Sequence, residues 1–354
     1  MSATRVQLGS WPTPLEPAPR LATALGLRPD DLWVKRDDLT GLGGGGNKVR
    51  KLEWTCGAAL AEGATTLVTS GGAQSNHARL TAAAGARLGL DVVLVLAGNP
   101  GGPGASAIGN IALDGLLGAT VVWAGEVDGP GLAASVDEVA GQLRAAGRKP
   151  AVIPFGGSSA LAARGYAECG RELLDQAPDL ATVVTAVGSG GTMAGLVDAL
   201  GVDRVLGVSV GAIPDPGRTV AELASELASE LASERPSDLA SERASGRSSG
   251  RGGRAVASTS LRLRLDQVLA GYAALTEPVA AALTLAARTE GIVLDPIYTG
   301  RALAGLTAAV EEGDVVPGTR TVFLHSGGLP GLFGHPPTLA RARAALRELD
   351  PGPA

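Results

Sequence analysis

Short runs of apolar, largely β-branched residues alternate along this chain with longer segments of helical spacing, and that alternation leaves few folds open. Thr65 to Ser70 reads as a strand, Gly71 to Gln74 as a loop, and Ser75 to Leu88 as a helix with alanine on most faces. Strands recur at Asp91 to Leu96, Ala119 to Trp123 and Ala151 to Pro154, with helices at Ala105 to Leu117 and Gly131 to Ala146 between them. Apolar strands separated by helices build right-handed crossovers and a parallel sheet. A second set adds a helix from Arg164, the strand Thr182 to Val187, the loop Gly188 to Thr192, a helix through Leu200 and the strand Val205 to Val210. Helices at Pro278 to Thr289 and Thr299 to Glu311 then precede the strand Thr321 to His325, while Leu32 to Lys35 is a short strand near the start. The fold class expected is α/β with two open parallel-sheet domains. Residues 53–158 form the small one, inserted between 1–52 and 159–354 of the large one.

The 354 residues suffice for about two domains and a large core. A net charge of −5 argues against nucleic acid or an anionic membrane as partner. Cys56 and Cys169 have no metal-like spacing, so neither a disulfide framework nor a metal site is supported. Residues 1–19 lack a basic region followed by an apolar core, and no apolar run reaches membrane-spanning length, which makes a soluble cytoplasmic protein the expectation. Residues 222–254 begin as three copies of Glu-Leu-Ala-Ser and decay into a Gly/Ser/Arg stretch. Leu223, Leu227 and Leu231 would line a narrow helical stripe, but Glu222, Glu226, Glu230 and Glu234 stack like charges at i,i+4. Pro236 ends any such helix. The segment reads as a repetitive insertion in a surface loop, a frayed helix and then disorder, and removing 222–254 should leave a ligand site intact.

Chemistry enters with the run Gly43-Gly44-Gly45-Gly46 before Asn47 and Lys48. Four glycines admit positive φ and close approach of another group. Asn47 to Leu60 has helical spacing, so Lys48 falls in a first helical turn, where the dipole disfavours an ammonium and helps the amine become a nucleophile. Schiff-base chemistry requires such an amine. A nucleotide phosphate loop would place Lys directly after the last glycine and then Ser or Thr, whereas Asn47, Lys48 and Val49 follow here. A mobile loop before a solvated helix, with Lys48, Arg50 and Lys51 as surface charges, accounts for this stretch equally well when it is taken alone.

Three more turns carry glycines with hydroxyls or amides: Gly71 to His77, Gly188 to Thr192, and Ser326 to Gly328. In open parallel sheets ligands bind beyond the carboxyl ends of strands, where such loops gather. A glycine loop entering a helix aims several N–H groups at one place, which makes Gly188, Ser189, Gly190, Gly191 and Thr192 the clearest anion site. A tight turn that binds nothing is the plain alternative. Gln74-Ser75-Asn76-His77 opens another helix and could hold a carboxylate, or could be a simple N-cap. A nucleophilic lysine, a phosphate loop and a carboxylate loop together specify an aldehyde-bearing phosphate cofactor acting on amino acids, for which pyridoxal 5'-phosphate is the candidate.

At this point the sequence resembles a known family. Gly-Gly-Asn-Lys-Val-Arg-Lys-Leu-Glu at 45–53, Gln-Ser-Asn-His-Ala-Arg at 74–79, Gly-Ser-Gly-Gly-Thr at 188–192, Arg-Thr-Glu-Gly-Ile-Val-Leu-Asp-Pro-Ile-Tyr-Thr-Gly at 288–300 and His-Ser-Gly-Gly at 325–328 look like the D-cysteine desulfhydrase and 1-aminocyclopropane-1-carboxylate deaminase family of fold-type II pyridoxal-phosphate enzymes. The likeness runs from about Leu8 to Gly334 and is interrupted at the repeat. It implies that Lys48 binds the cofactor aldehyde, that Asn76 meets its phenolic oxygen, and that Gly188 to Thr192 cradle its phosphate. It also implies that Ser326 lies on the cofactor, that Gln74, Ser75, Asn76 and His77 face the substrate carboxylate, and that Tyr272 and Tyr298 are active-site tyrosines. A homodimer and a small amino-acid substrate are further implications.

Three departures bear on substrate. Thr299 stands where the deaminases have Glu beside the pyridine nitrogen, and a hydroxyl keeps that nitrogen protonated only weakly. Loss of a thiol needs less carbanion stabilisation than opening a cyclopropane, which favours D-cysteine. Ser326 replaces a Thr usual in desulfhydrases, and Ala273-Ala274-Leu275 replaces a turn with glycine and proline after Tyr272. The expected activity is a β-elimination giving pyruvate, sulfide and ammonia, with Lys48, Ser75, Tyr272 and Tyr298 catalytic. The deaminase, a cysteate sulfo-lyase and a cofactor-holding paralogue without turnover are the alternatives. The glycines before Lys48 would clear the space where cofactor ring and lysine meet.

Overall fold

The computed structural model describes residues 4–102, 108–234 and 255–346. Strand β1 (Leu15–Pro17), helix α1 (Pro19–Ala24) and β2 (Leu32–Lys35) lead into α2 (Lys48–Ala61). Next come β3 (Thr66–Gly72), α3 (Asn76–Leu88), β4 (Asp91–Ala97), α4 (Asn110–Leu116), β5 (Thr120–Trp123), α5 (Gly129–Ala145) and β6 (Pro150–Val152). The chain continues through α6 (Ala160–Gln176), β7 (Leu180–Val187), α7 (Gly191–Leu200), β8 (Val205–Ser209), α8 (Pro216–Ser233) and β9 (Arg262–Arg264). It ends with α9 (Glu277–Glu290), α10 (Thr299–Glu311), β10 (Arg320–Leu324), α11 (Leu329–Phe333) and α12 (Pro336–Ala344).

Two sheets result. One has the order β1-β2-β10-β7-β8-β9, the other β5-β4-β3-β6. Every pairing is parallel except β1 on β2. Because side chains alternate across a strand, each sheet feeds two apolar layers. Val184, Leu206, Val208 and Phe323 face a core that includes Leu21, Val279 and Leu303 of α1, α9 and α10. Their neighbours Val183, Val187, Val205 and Val322 face the other way, onto α6, α7 and α8. In the second sheet Leu67, Leu94 and Leu96 pack on α2 and α3, while Val68, Val93 and Val95 pack on α5. The turns after β3, β6, β7 and β10 lie at carboxyl ends of parallel strands, and all four reach one cavity.

The repeat departs from its expected form. Its first part belongs to α8, where Ala224 and Leu227 are buried against α6 and α7 and Leu223 and Leu231 pack beside them. Burial of that stripe outweighs the few tenths of a kcal/mol lost to each like-charge pair. Arg164 on α6 further offsets the crowded carboxylates by bridging Glu230 at 3.1 Å and Glu234 at 2.8 Å. Residues 235–254 lie outside the described residues.

Candidate active site

All five glycines from Gly43 to Gly46 and Gly41 have positive φ, with 52° at Gly43, 84° at Gly44, 73° at Gly45 and 132° at Gly46. Their requirement is packing of backbone on backbone. A Cβ on Gly45 would overlap the Asp38 carbonyl oxygen, and one on Gly43 would come within 2.6 Å of Ala83 Cβ. Gly46 lies against the turn after β10, where Asn47 donates its N–H to the Ser326 carbonyl at 2.9 Å. None of Gly43 to Gly46 lines the cavity, whose wall begins at Asn47. The run therefore seats Lys48 by docking onto the Ser326 turn rather than by clearing room for a ligand.

Lys48 is the first residue of α2 and is half-buried at the cavity wall, where loss of water lowers its pKa to about 8. The helix cannot slide. Arg50 forks onto the buried Asp37 at 2.8 and 2.9 Å, and Asp37 also accepts from Tyr166 at 2.6 Å and Thr13 at 2.8 Å. The guanidinium and these donors hold the Asp37 carboxyl below the usual range despite its burial. One turn on, Glu53 Oε1 accepts from the N–H groups of Leu8 and Gly9 and from Trp11 Nε1.

Lys51, three residues after Lys48 on the same helix, is fully buried, which rules out the alternative in which it is a surface charge. Its Nζ donates to Ser158 Oγ at 3.0 Å, and that oxygen lies 2.8 Å from Ser189 Oγ and accepts from Gly191 N–H at 3.3 Å. No carboxylate pairs with this amine among the described ion pairs. Desolvation first and the neighbouring Lys48 second drive its pKa well below the ordinary lysine value. A buried amine with no carboxylate partner, beside the first-turn N–H groups of α7 and a left-handed Gly190 (φ 86°), has the chemistry that fits a phosphate. Thr192 at the same helix start accepts from Asn47 Nδ2 at 3.1 Å.

At the start of α3, Ser75 caps the helix by accepting from Ala78 N–H at 3.1 Å. Asn76 lines the cavity. The Gln74 side chain holds the 108–110 segment, donating to Ile108 O at 3.1 Å and accepting from Asn110 N–H at 2.9 Å. His77 is buried with Nε2 2.9 Å from Thr69 Oγ1, and burial, then Lys48 and Lys51, keep it neutral by lowering its pKa well below the usual histidine value. Its imidazole is committed to β3.

Across the cavity the hydroxyls of Tyr272 and Tyr298 meet at 2.9 Å, their rings edge to face at 74°. Desolvation, and then its partner, raise the Tyr298 phenol well above the ordinary tyrosine value; Tyr272, although half exposed as a residue, is also raised by the desolvation of its hydroxyl, so both carry their protons at neutral pH. The unusual Ala273 sits at φ 61°, and the chain is clamped there by His335 Nε2, 2.8 Å from Ala273 O, and by Arg301, which donates to Gly271 O at 2.6 Å and Ala274 O at 2.9 Å. Thr299 is not where its sequence position suggested. It is fully buried outside the cavity wall and donates to Asp295 Oδ1 at 2.7 Å. Of Thr299 and Ser326, it is Ser326 that lines the cavity.

Lys48, Gln74, Ser75, Asn76, His77, Gly188, Ser189, Gly190, Thr192, Tyr272, Tyr298 and Ser326 all line this one cavity of about 340 Å³, whereas Gly191 and Thr299 do not. Sequence reasoning missed Lys51 and Ser158; helical spacing placed Lys51 on the same side of α2 as Lys48, but nothing local announced Ser158.

An amine poised near neutrality, facing a phosphate-sized cradle between two parallel sheets, defines an α/β enzyme that holds a phosphorylated aldehyde. Residues 6–327 match the pyridoxal-phosphate dependent enzyme family, and the chain belongs to it. It is 40% identical to a D-cysteine desulfhydrase of Klebsiella pneumoniae over 95% of this chain and 97% of that one. It is 36% identical, over 93% of each, to a Pyrococcus furiosus protein named for 1-aminocyclopropane-1-carboxylate deaminase. A solved structure titled as an ACC deaminase homologue superimposes with a TM-score of 0.81 at 34% identity, covering 96% of both chains. The fold is that of fold-type II pyridoxal-phosphate enzymes and the cofactor is pyridoxal 5'-phosphate.

Proposed function

We propose that the chain catalyses β-elimination on a small amino acid, with D-cysteine as substrate and pyruvate, sulfide and ammonia as products. The observation that carries the choice of reaction is the absence of a carboxylate from the cavity wall among the described residues. The nearest carboxylate in sequence to the motif tyrosine, Asp295, is buried and saturated by the N–H groups of Ile297, Tyr298 and Thr299 and by the Thr299 hydroxyl. Bound pyridoxal phosphate supplies an electron sink for the carbanion at Cα, and a carboxylate at the ring nitrogen would deepen it. Without that carboxylate, expulsion of a thiol is the easier reaction and cyclopropane opening the harder one. The part Thr299 was given in this argument passes to Ser326, a hydroxyl with the same weak effect.

In this reading Lys48 would hold the cofactor through its aldehyde, and the Lys48 amine or the Ser75 hydroxyl, both on the cavity wall, would move the substrate Cα proton. Lys51 and the 188–192 loop hold the phosphate. Asn76 would donate to the phenolic oxygen, and the helix start at Gln74 to His77 would receive the substrate carboxylate through its backbone N–H groups. The protonated Tyr272 and Tyr298 pair donates a proton to the departing sulfur. A sulfonate, as in cysteate, would find no further lysine or arginine on the cavity wall among the described residues once Lys51 meets the phosphate and Lys48 the cofactor. The same reading treats 1–52 with 159–354 as one domain and 53–158 as the other, supported by the four-stranded sheet lying wholly within 66–152. It also takes the chain as a cytoplasmic homodimer, which sedimentation would check for the assembly.

The test compares sulfide release from D-cysteine with 2-oxobutanoate formation from aminocyclopropane carboxylate. Sulfide is expected, and both the yellow absorbance and the activity should vanish in Lys48→Ala. Formation of 2-oxobutanoate alone would overturn the substrate assignment; a colourless wild type with added cofactor would overturn the mechanism.

A further inference from the structure

Asn110 opens α4, is fully buried and has no part in the reading above. Its side-chain Nδ2 donates to the Gln74 backbone carbonyl at 2.9 Å and to Asn76 Oδ1 at 3.1 Å. A backbone carbonyl can only accept, so the Asn110 atom facing it is the amide nitrogen. That nitrogen has a second hydrogen, and Asn76 must answer it with oxygen rather than nitrogen. Arg79, which can only donate, approaches the same oxygen with Nη2 at 3.4 Å. The amide of Asn76 therefore has one orientation. Its oxygen is claimed by two donors, and its Nδ2 has no protein acceptor among the hydrogen bonds of the described residues although the residue lines the cavity.

We propose that Asn110 is a positioning residue that fixes the direction in which Asn76 donates, and thereby sets how readily the cofactor's phenolic oxygen carries negative charge. The inference rests on Asn76 meeting that oxygen. A donor held on a phenolate favours the ionised form, whereas an overturned amide would present an oxygen and disfavour it. No side chain on α3 fixes the amide so firmly. Arg79 is more distant, and it is also occupied with the carbonyls of Gly43 and Gly45.

The experiment uses the full chain loaded with pyridoxal phosphate and reads the visible absorbance, the pH midpoint at which that absorbance changes, and cofactor retention on dialysis. Asn110→Asp is isosteric but offers Asn76 an acceptor, which invites its Nδ2 and turns the amide over. The pH midpoint should move by about one unit and the cofactor should bind about tenfold more weakly. Asn110→Ala, which removes the donor without adding an acceptor, should move both in the same direction by less. It carries the test if circular dichroism shows that Asn110→Asp does not fold. In an Asn76→Ala background neither substitution should shift the midpoint further, a result that a general packing defect would not give. The proposal is overturned if Asn76→Ala shifts the midpoint while both Asn110 variants match wild type, or if the Asn110 shift persists undiminished without Asn76. If Asn76→Ala leaves absorbance and midpoint unchanged, the placing of Asn76 on the phenolic oxygen fails, and this inference with it.

Discussion

At Lys48 desolvation brings a lysine into the range where its neutral form is abundant, and that is a measurable property of the apoenzyme. Capture of pyridoxal phosphate, followed by visible absorbance, should accelerate as pH rises and level off above about 8, because only the unprotonated amine attacks an aldehyde. An ordinary lysine would keep accelerating to about 10.4. A rate that is flat from pH 6 to 9 would contradict the desolvated amine. Lys48 was legible in the sequence because a glycine run is visible without knowing what it touches. Lys51 was not, since its hydrogen-bond partner Ser158 lies 107 positions away, and a lysine directly after an arginine on a helix carries no local sign of burial. Thr299 shows the converse. Its place after the motif tyrosine was correct, but whether its hydroxyl faces ligand or Asp295 is decided by the turn at 295–299, which a one-dimensional motif does not describe.

At the level of elements, the strands of the alternating pattern lie within a few residues of their expected places, because period and β-branching are local signals. The short strands β1 and β9, Leu-Glu-Pro and Arg-Leu-Arg, lack an apolar β-branched run and were not read. The repeat was misjudged for a different reason. Like charges at i,i+4 are a real local penalty, but tertiary burial decides, and Leu227 is fully buried between α6 and α7. Leu227→Ala should therefore lower stability by about 2–5 kcal/mol in denaturant melts. Glu226→Ala, on the exposed face of α8, should change it by no more than about 0.5 kcal/mol. Equal small effects would return the segment to a loosely attached surface loop. Removing residues 222–254, expected to leave the ligand site intact, would also take Ala224 and Leu227 of α8 out of the core.

For the molecule as a whole, the anion cradle is a junction. Lys51 comes from α2, Ser158 from the turn after β6 of one sheet, and Ser189 with Gly191 from the turn after β7 of the other. Nothing in the cradle neutralises Lys51, whose pKa is held well below 10.5 by desolvation. In the window between that lowered value and the unfolded value the unfolded chain binds the extra proton. Apoprotein stability from this group therefore rises with pH across the window and is least favourable below it. A bound phosphate reverses the situation: it restores the charge on Lys51 and ties the two sheets through one anion. Saturating cofactor at about 100 times its dissociation constant should stabilise the wild type by about 2.7 kcal/mol. Lys51→Met removes the buried amine, so its apoprotein should be at least as stable as wild type near neutral pH. At the same cofactor concentration it should gain much less, since its affinity is lower. Denaturant midpoints of both proteins with and without cofactor decide the matter, and an equal gain in the two would show that the phosphate is held without Lys51.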